Sequence, residues 1–376
     1  MNHIDTANSY ISRMILPSSP ECPLWNRESQ IFSKPMKWNY IDGCMIKAVT
    51  MLYDVTGDER LLSYADSFMK AFVDENGDIP TYSPADNNLD NINGGKVLIY
   101  LYKKTGDERY RKAYRMLFEK QLTAQPRLQC GNFWHKSIYP YQIWLDGTYM
   151  ALPFMAEFSL EENIPEIMDD VKAQLRNVRD IMRDPETGLY YHGYDETRTM
   201  NWADSRTGLS HEFWLRAMGW LCAALADIYE LSPRDETGEQ LSQLLDALSG
   251  CQQDNGMFCQ LPARNDIEGN YCETSGTLLY AYGALKSSRL GITGSEIRRS
   301  GEKAFTAVND GFISMSDSGT PVLHNVCLMA GLGGAAGRDG SAQYYLSEPK
   351  VENDAKGIAP YLMAYAEMLS HKIIVR

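Results

Sequence analysis

The sequence has no run of 18 consecutive apolar residues, so no segment of its 376 residues reads as a membrane-spanning helix. Its opening, MNHIDTANSYISRMILPSSPE, lacks the basic start and apolar stretch of a secretory leader. The expected location is therefore the cytoplasm. None of the eight cysteines forms a CxxC pair, so zinc-ribbon and thioredoxin-like signatures are absent. Cys44 and Cys222 sit in apolar helical runs, where cysteine acts as a small hydrophobe. Buried free thiols are the expectation for all eight, and no metal is expected. HExxH, GxSxG and the calcium-loop pattern are also missing. Gly331-Leu332-Gly333-Gly334 is followed by no lysine and opens no helix after a strand, which makes it a poor phosphate loop.

Positive charge is in short supply. The net charge is −13, which argues against nucleic acid and anionic membranes as partners. An acidic substrate would then need local cations to hold it, because the field of the whole chain repels it.

What is present is a repeat. TGDER occurs at 56–60 and at 105–109, each time after an apolar stretch ending near Leu-Tyr. Glycine just past a helix and aspartate just before the next one is turn grammar. Six helical runs open near a glycine: Gly43, Gly94, Gly147, Gly219, Gly276 and Gly357. The runs that follow, such as GTYMALPFMAEF and GWLCAALADIY, are apolar nearly all round, as buried helices are. Between them lie one-faced helices. In 165–182, Met168, Val171, Leu175, Val178 and Met182 recur at steps of three and four.

Six buried helices alternating with six amphipathic ones predict an all-α (α/α)6 toroid, with residues 1–376 forming a single domain. Weak strand signals fall at Leu189–Gly193 and Gly256–Leu261. The Gly-, Ser-, Asp- and Asn-rich stretch 309–355 is read as loops folded over one mouth of the ring, together with 19–40.

In such a ring the residues leading into the inner helices meet at one mouth. They include Trp38, Tyr40, Asp42, Asp90, Asn93, Trp144, Asp146, Trp214, Arg216, Glu273, Ser275, Asp354 and Lys356. Five of the seven tryptophans, at 134, 144, 202, 214 and 220, crowd into the middle of the chain. Flat aromatic faces suit sugar rings, and each of these tryptophans also suits a core. Asp146 and Asp90 precede apolar helices, where an aspartate serves equally as a helix cap or as an acid in a site. His135 and His192 lie in polar, aromatic-rich segments, which favours a site.

The blocks WHKSIYPYQIWLDGTYM (134–150), LDNIN (89–93), EFWLRAMGW (212–220), NYCETSGT (270–277), AGLGG (330–334), RDGS (338–341) and YYLSEPKVENDAKG (344–357) resemble those of glycoside hydrolase family 105, the unsaturated rhamnogalacturonyl hydrolases. Family 88, the unsaturated glucuronyl hydrolases, is a weaker match. The resemblance implies an (α/α)6 barrel and a cofactor-free enzyme acting on a small anionic oligosaccharide left by a polysaccharide lyase. It implies hydration of the C4=C5 double bond of a terminal unsaturated uronic acid, by default unsaturated galacturonate on rhamnose. Asp146 matches the general acid/base and Asp90 the second acid. Tyr40, His135, His192, Trp214, Arg216 and Trp220 resemble the residues lining the subsite for the unsaturated sugar, with Arg216 or its neighbours holding the carboxylate. To donate a proton at neutral pH, Asp146 should have a raised pKa, through burial or through Asp90. Met257 and His324 depart from the pattern, which bears on the neighbouring sugar. The alternatives are an unsaturated glucuronyl hydrolase, a conventional inverting glycosidase on the same ring, or a silent sugar-binding protein. A monomer or weak homo-oligomer is expected.

Overall fold

The computed structural model describes residues 2–374. Six inner helices, Tyr40–Thr56, Gly95–Thr105, Leu145–Glu161, Leu215–Leu231, Thr274–Arg289 and Ala355–Ile374, each pack against the next, and the last closes on the first. The ring is thus an (α/α)6 toroid, as expected. The run at 145–159 is buried on nearly every side, and 215–228 on every side.

Five outer helices follow their inner partners: Glu59–Lys70, Glu108–Met116 with its π-helical continuation to Leu122, Pro165–Met182, Asp235–Ser249 and Ser295–Gly311. The sixth comes from the N-terminus. His3–Tyr10 continues as a π-helical turn to Ile15, and the Tyr10 ring packs 5.7 Å from Tyr361 of the last inner helix. The chain therefore starts its ring with an outer helix and ends it with the inner one.

Both TGDER copies are helix-to-helix turns. Gly57 and Gly106 end their helices with φ of 69° and 70°. Asp58 and Asp107 then cap the next helices by accepting the backbone N–H of Arg60 and Arg109. The six recurrent glycines have a different cause. A Cβ on Gly276 would lie 2.5 Å from Leu215 Cγ, and one on Gly94 would lie 2.6 Å from the Trp38 ring. At Gly43, Gly219 and Gly276 neighbouring inner helices converge, and at Gly94, Gly147 and Gly357 side chains from the mouth segments fill the space; glycine leaves room for both.

The third inner helix contains Pro153. A proline has no N–H to give the carbonyl four residues earlier, here that of Tyr149. Lys96, fully buried on the second inner helix, supplies the missing donor: its Nζ lies 3.2 Å from the Tyr149 oxygen and 3.5 Å above the Tyr149 ring. Burial pulls the Lys96 pKa down to about 8.

The strand expectations need correcting. Gly193–Asp195 pairs antiparallel with Gln142–Trp144, so the strand begins where the weak signal ended. Residues 256–261 form no strand, only a bridge between Cys259 and Cys272. The 309–355 stretch carries structure of its own: a hairpin of Ile313–Met315 with Pro321–Leu323, a short pair of 326–327 with 350–351, and the helix Ala342–Ser347. The thiols also differ from expectation. All eight are free, but Cys22 and Cys130 are exposed and three others are half-buried.

Candidate active site

The strand Gln142–Trp144 runs directly into the third inner helix, which starts at Leu145. Asp146 is therefore inside the first helical turn. The N-cap position is Trp144, which makes no side-chain cap bond. Freed from capping, the Asp146 carboxylate reaches across to the residue just before the neighbouring strand, where His192 Nε2 lies 3.1 Å from Oδ2. The other ring nitrogen of His192 lies 2.7 Å from the Tyr345 hydroxyl. His192 is wholly buried, while the Asp146 side chain keeps 17% of its surface exposed.

Burial pushes the Asp146 carboxyl upward. The hydrogen bond with His192 and its electrostatic pull, helped by the Arg216 guanidinium, outweigh it and leave the pKa below its ordinary value. The expectation of a raised pKa is thus corrected, because burial is opposed by the His192 hydrogen bond and by the positive charge of Arg216. Asp90 is not among the leading influences on Asp146. Its own charge is matched elsewhere: Lys136 Nζ lies 2.6 Å from Asp90 Oδ2. Burial lowers the Lys136 pKa, and the adjacent Asp90 carboxylate more than reverses this and keeps the ammonium charged.

Three flat rings form one wall. Trp144 is stacked between Tyr139 and His135, with centroids 4.5 and 4.7 Å away and planes within 21° and 19°. His135 is buried, and burial holds its pKa down to about 4, so its ring is neutral.

These residues enclose a cavity of ≈ 250 Å³. Of the residues singled out from sequence, Tyr40, Asp90, His135, Trp144 and Asp146 line it. His192, Trp214 and Arg216 stand behind the wall. Trp214 donates its indole N–H to Gln260 Oε1 at 3.1 Å and packs against His192 and Tyr345. The Arg216 guanidinium lies over the Trp214 ring and donates to Ser275 Oγ and to the Cys327 carbonyl. Burial weakens the Arg216 charge, but Cys327, Glu273, Tyr40 and Asp354 restore it. Trp220 is not brought to the mouth. It sits within the ring, stacked 4.8 Å from Tyr149, because two further helical turns separate it from Trp214.

Sequence reading missed several residues that line the cavity: Lys136, Tyr139, Glu28, Lys34, Met329 and Arg338. Lys136 and Tyr139 lie in the same block as His135, so chain proximity could have found them. Arg338 bonds Tyr139 Oη at 3.3 Å across 199 residues, and no local signal announces that. Glu28 and Lys34 come from the 19–40 segment, and Met329 and Arg338 from the 309–355 segment, so both stretches do fold over the mouth. Met257 is fully buried, and His324 binds Ser314 and Glu352; neither lines the cavity.

Through Met329 and Arg338 the cavity adjoins a more open groove of ≈ 660 Å³. Asp339, Ser341, Gln343, Ser347 and Glu348 line the groove. Its lining holds two acids against one cation. Among the described residues, no helix is long and apolar enough to cross a membrane.

The sequence profile of the Glycosyl Hydrolase Family 88 matches residues 22–372. A solved structure of a family 105 glycoside hydrolase from C. acetobutylicum is 35% identical, superposes with a TM-score of 0.88, and is covered over 98% of its chain by 97% of this one. The "24.9 kDa protein in picA locus" of Rhizobium radiobacter is 37% identical over 230 residues, 58% of this chain and 98% of that one. The unsaturated rhamnogalacturonyl hydrolase YesR of Bacillus subtilis is 25% identical over 307 residues, 78% of this chain and 83% of that one.

Proposed function

This chain belongs to the glycosyl hydrolase 88 and 105 group, and from that membership we propose that it removes a terminal unsaturated galacturonate from rhamnose, with Asp146 as the acid and base. It is a glycoside hydrolase of the unsaturated glycuronyl type. The observation that carries the hydration reading is Asp146 itself: a carboxyl on the wall of the cavity, anchored through Oδ2 to His192, with Lys136 and Arg338 lining the same cavity.

The reaction is a hydration. Asp146 gives a proton to C4 of the double bond, water adds at C5, and Asp146 takes back the proton that the water sheds. The hemiketal so formed at C5 opens, its ring bond breaks, and the neighbouring sugar leaves as an alcohol. Asp146 must therefore be protonated when substrate is bound. The substrate's own carboxylate and the loss of cavity water both push a nearby carboxyl upward, opposing the pull of His192. Lys136 and Arg338, with Arg216 behind, supply the local cations that a chain of net charge −13 needs in order to hold an anion. The stacked Tyr139–Trp144–His135 wall offers a flat face to the sugar ring.

The adjoining groove supports a neutral second sugar. Asp339 and Glu348 would repel a uronate or sulfate placed there, while Ser341, Gln343 and Ser347 suit hydroxyls and Met329 and Ala336 suit a methyl group. The YesR similarity points the same way. A cytoplasmic location fits eight free thiols.

The test is the ultraviolet absorbance of the conjugated double bond. Incubation with unsaturated galacturonyl-rhamnose should erase the absorbance, and Asp146→Asn should abolish that loss while the protein stays folded. Release of rhamnose ahead of the fall in absorbance would mean ordinary glycoside hydrolysis instead. Preference for a sulfated or uronate neighbour would refute the rhamnose assignment alone.

A further inference from the structure

Two short segments, 258–260 and 271–273, run antiparallel just before the fifth inner helix. The Gln260 N–H donates to the Tyr271 carbonyl at 2.9 Å, and the Glu273 N–H donates to the Phe258 carbonyl at 2.9 Å. These two bonds bracket Cys259 and Cys272, which are directly opposed across the bridge. Such a pair, flanked by hydrogen bonds rather than sharing them, brings its Cα atoms to about 4.5 Å and its side chains closest together. A disulfide accepts Cα separations of about 4.4–6.8 Å. The backbone is thus already set for a cross-link.

The side chains agree with the backbone. The two thiols are near enough for each to shift the other's titration, and Asn255 Nδ2 donates to Cys272 Sγ at 3.7 Å. Both cysteines are half-buried, within reach of a small reagent. Among the described residues no other two cysteines are backbone partners.

We propose that Cys259 and Cys272 form a redox modification site, a dithiol that closes to a cross-strand disulfide when it meets a small oxidising disulfide such as glutathione disulfide. Cys272 is the attacking sulfur. Its neighbour Cys259 holds the Cys272 thiol below the ordinary range, and Cys272 in turn pushes Cys259 up. The Cys272 thiolate attacks one glutathione sulfur, forming a mixed disulfide and expelling the first glutathione thiolate. Cys259 then loses its proton, attacks Cys272 Sγ and expels the second. One protein S–S bond forms and one glutathione S–S bond breaks. Two electrons and two protons end on two glutathione thiols.

The cross-link would tie together two segments on which the candidate site rests. Gln260 holds the Trp214 indole and donates to the Tyr345 carbonyl. Glu273 caps the fifth inner helix and accepts the Cys327 N–H. Because the cysteines already face each other, closing the bond leaves these contacts in place. It stiffens the intervening loop 260–271, whose Arg264 pairs with Glu212.

The experiment treats the full chain with glutathione disulfide at pH 7, alkylates remaining thiols, and maps tryptic peptides without reduction. Cleavage at Arg264 separates the two cysteines, so a bridge shows as two joined peptides lighter by two hydrogens, with the alkyl label of the 235–264 peptide found by fragmentation on Cys251. The expected result is that joined pair, undone by dithiothreitol. In Cys259→Ser, Cys272 should instead retain one glutathione. Recovery of Cys259 and Cys272 on separate alkylated peptides in the wild type would overturn the proposal. An aromatic disulfide reagent at pH 6.5 gives an independent reading. Cys272 should react at least tenfold faster than the more exposed Cys22 and Cys130, and Cys259→Ala should erase that lead. Slower labelling of Cys272 than of Cys22 would equally overturn it.

Discussion

The Asp90 carboxylate and the Lys136 ammonium lie 2.6 Å apart on the cavity wall, with His135 Nε2 3.7 Å from the other Asp90 oxygen. The pair is largely shielded, at 14% and 19% side-chain exposure, so its charges are screened far less than on an open surface. Asp90 thereby pins a cation beside the cavity, where the sequence reading saw only a second acid.

Lys136→Met should raise KM for the unsaturated disaccharide about tenfold to a hundredfold, a loss of roughly 1.4–2.8 kcal/mol in binding, with a smaller change in kcat. Steady-state kinetics on the purified variant checks this. An unchanged KM would mean that the lysine serves only to neutralise Asp90.

His135 makes stability depend on pH. Its folded pKa of about 4 lies below the ordinary histidine value. Between those limits the unfolded chain binds the proton and the folded chain does not. The stability from a neutral, buried His135 is therefore present above about pH 6.5 and is lost as the pH falls towards 4. Its share of the loss between pH 7 and pH 5 is about 2 kcal/mol. Urea unfolding at the two pH values should show His135→Gln losing that much less than wild type. Equal losses would contradict the assignment.

Lys96 and Pro153 should be coupled through the Tyr149 carbonyl. Lys96→Met in the wild type leaves that oxygen without a partner. In a Pro153→Ala background the restored N–H serves it instead. The lysine substitution should then cost about 1–2 kcal/mol less in the second background. A double-mutant cycle by chemical denaturation measures the difference, and strict additivity would rule the coupling out.

Much of the ring could be read directly from the chain. TGDER announced two turns because glycine and aspartate act on neighbours within a few residues. The period of the apolar residues separated inner from outer helices for the same reason. The sixth outer helix escaped notice because His3–Ile15 is short and finds its partner, the last inner helix, only when the ring closes. Trp220 shows the opposite failure. Its block matched a sugar-site signature, yet the helical rise carries it two turns down from the mouth, onto Tyr149.

The sequence by itself determined the toroid, its helix boundaries near the six glycines, and the block that brings Asp146 to the mouth. These follow from local propensity, periodicity and capping, which act over one or two turns. Only the tertiary structure decided the electrical state of that acid. Asp146 meets His192 46 residues away, and His192 meets Tyr345 a further 153 residues on. Lys136 and Arg338 reach the same cavity from distant parts of the chain. A pKa is set by the groups within a few ångströms and by the water they exclude, and it is the closure of the ring that brings these groups together.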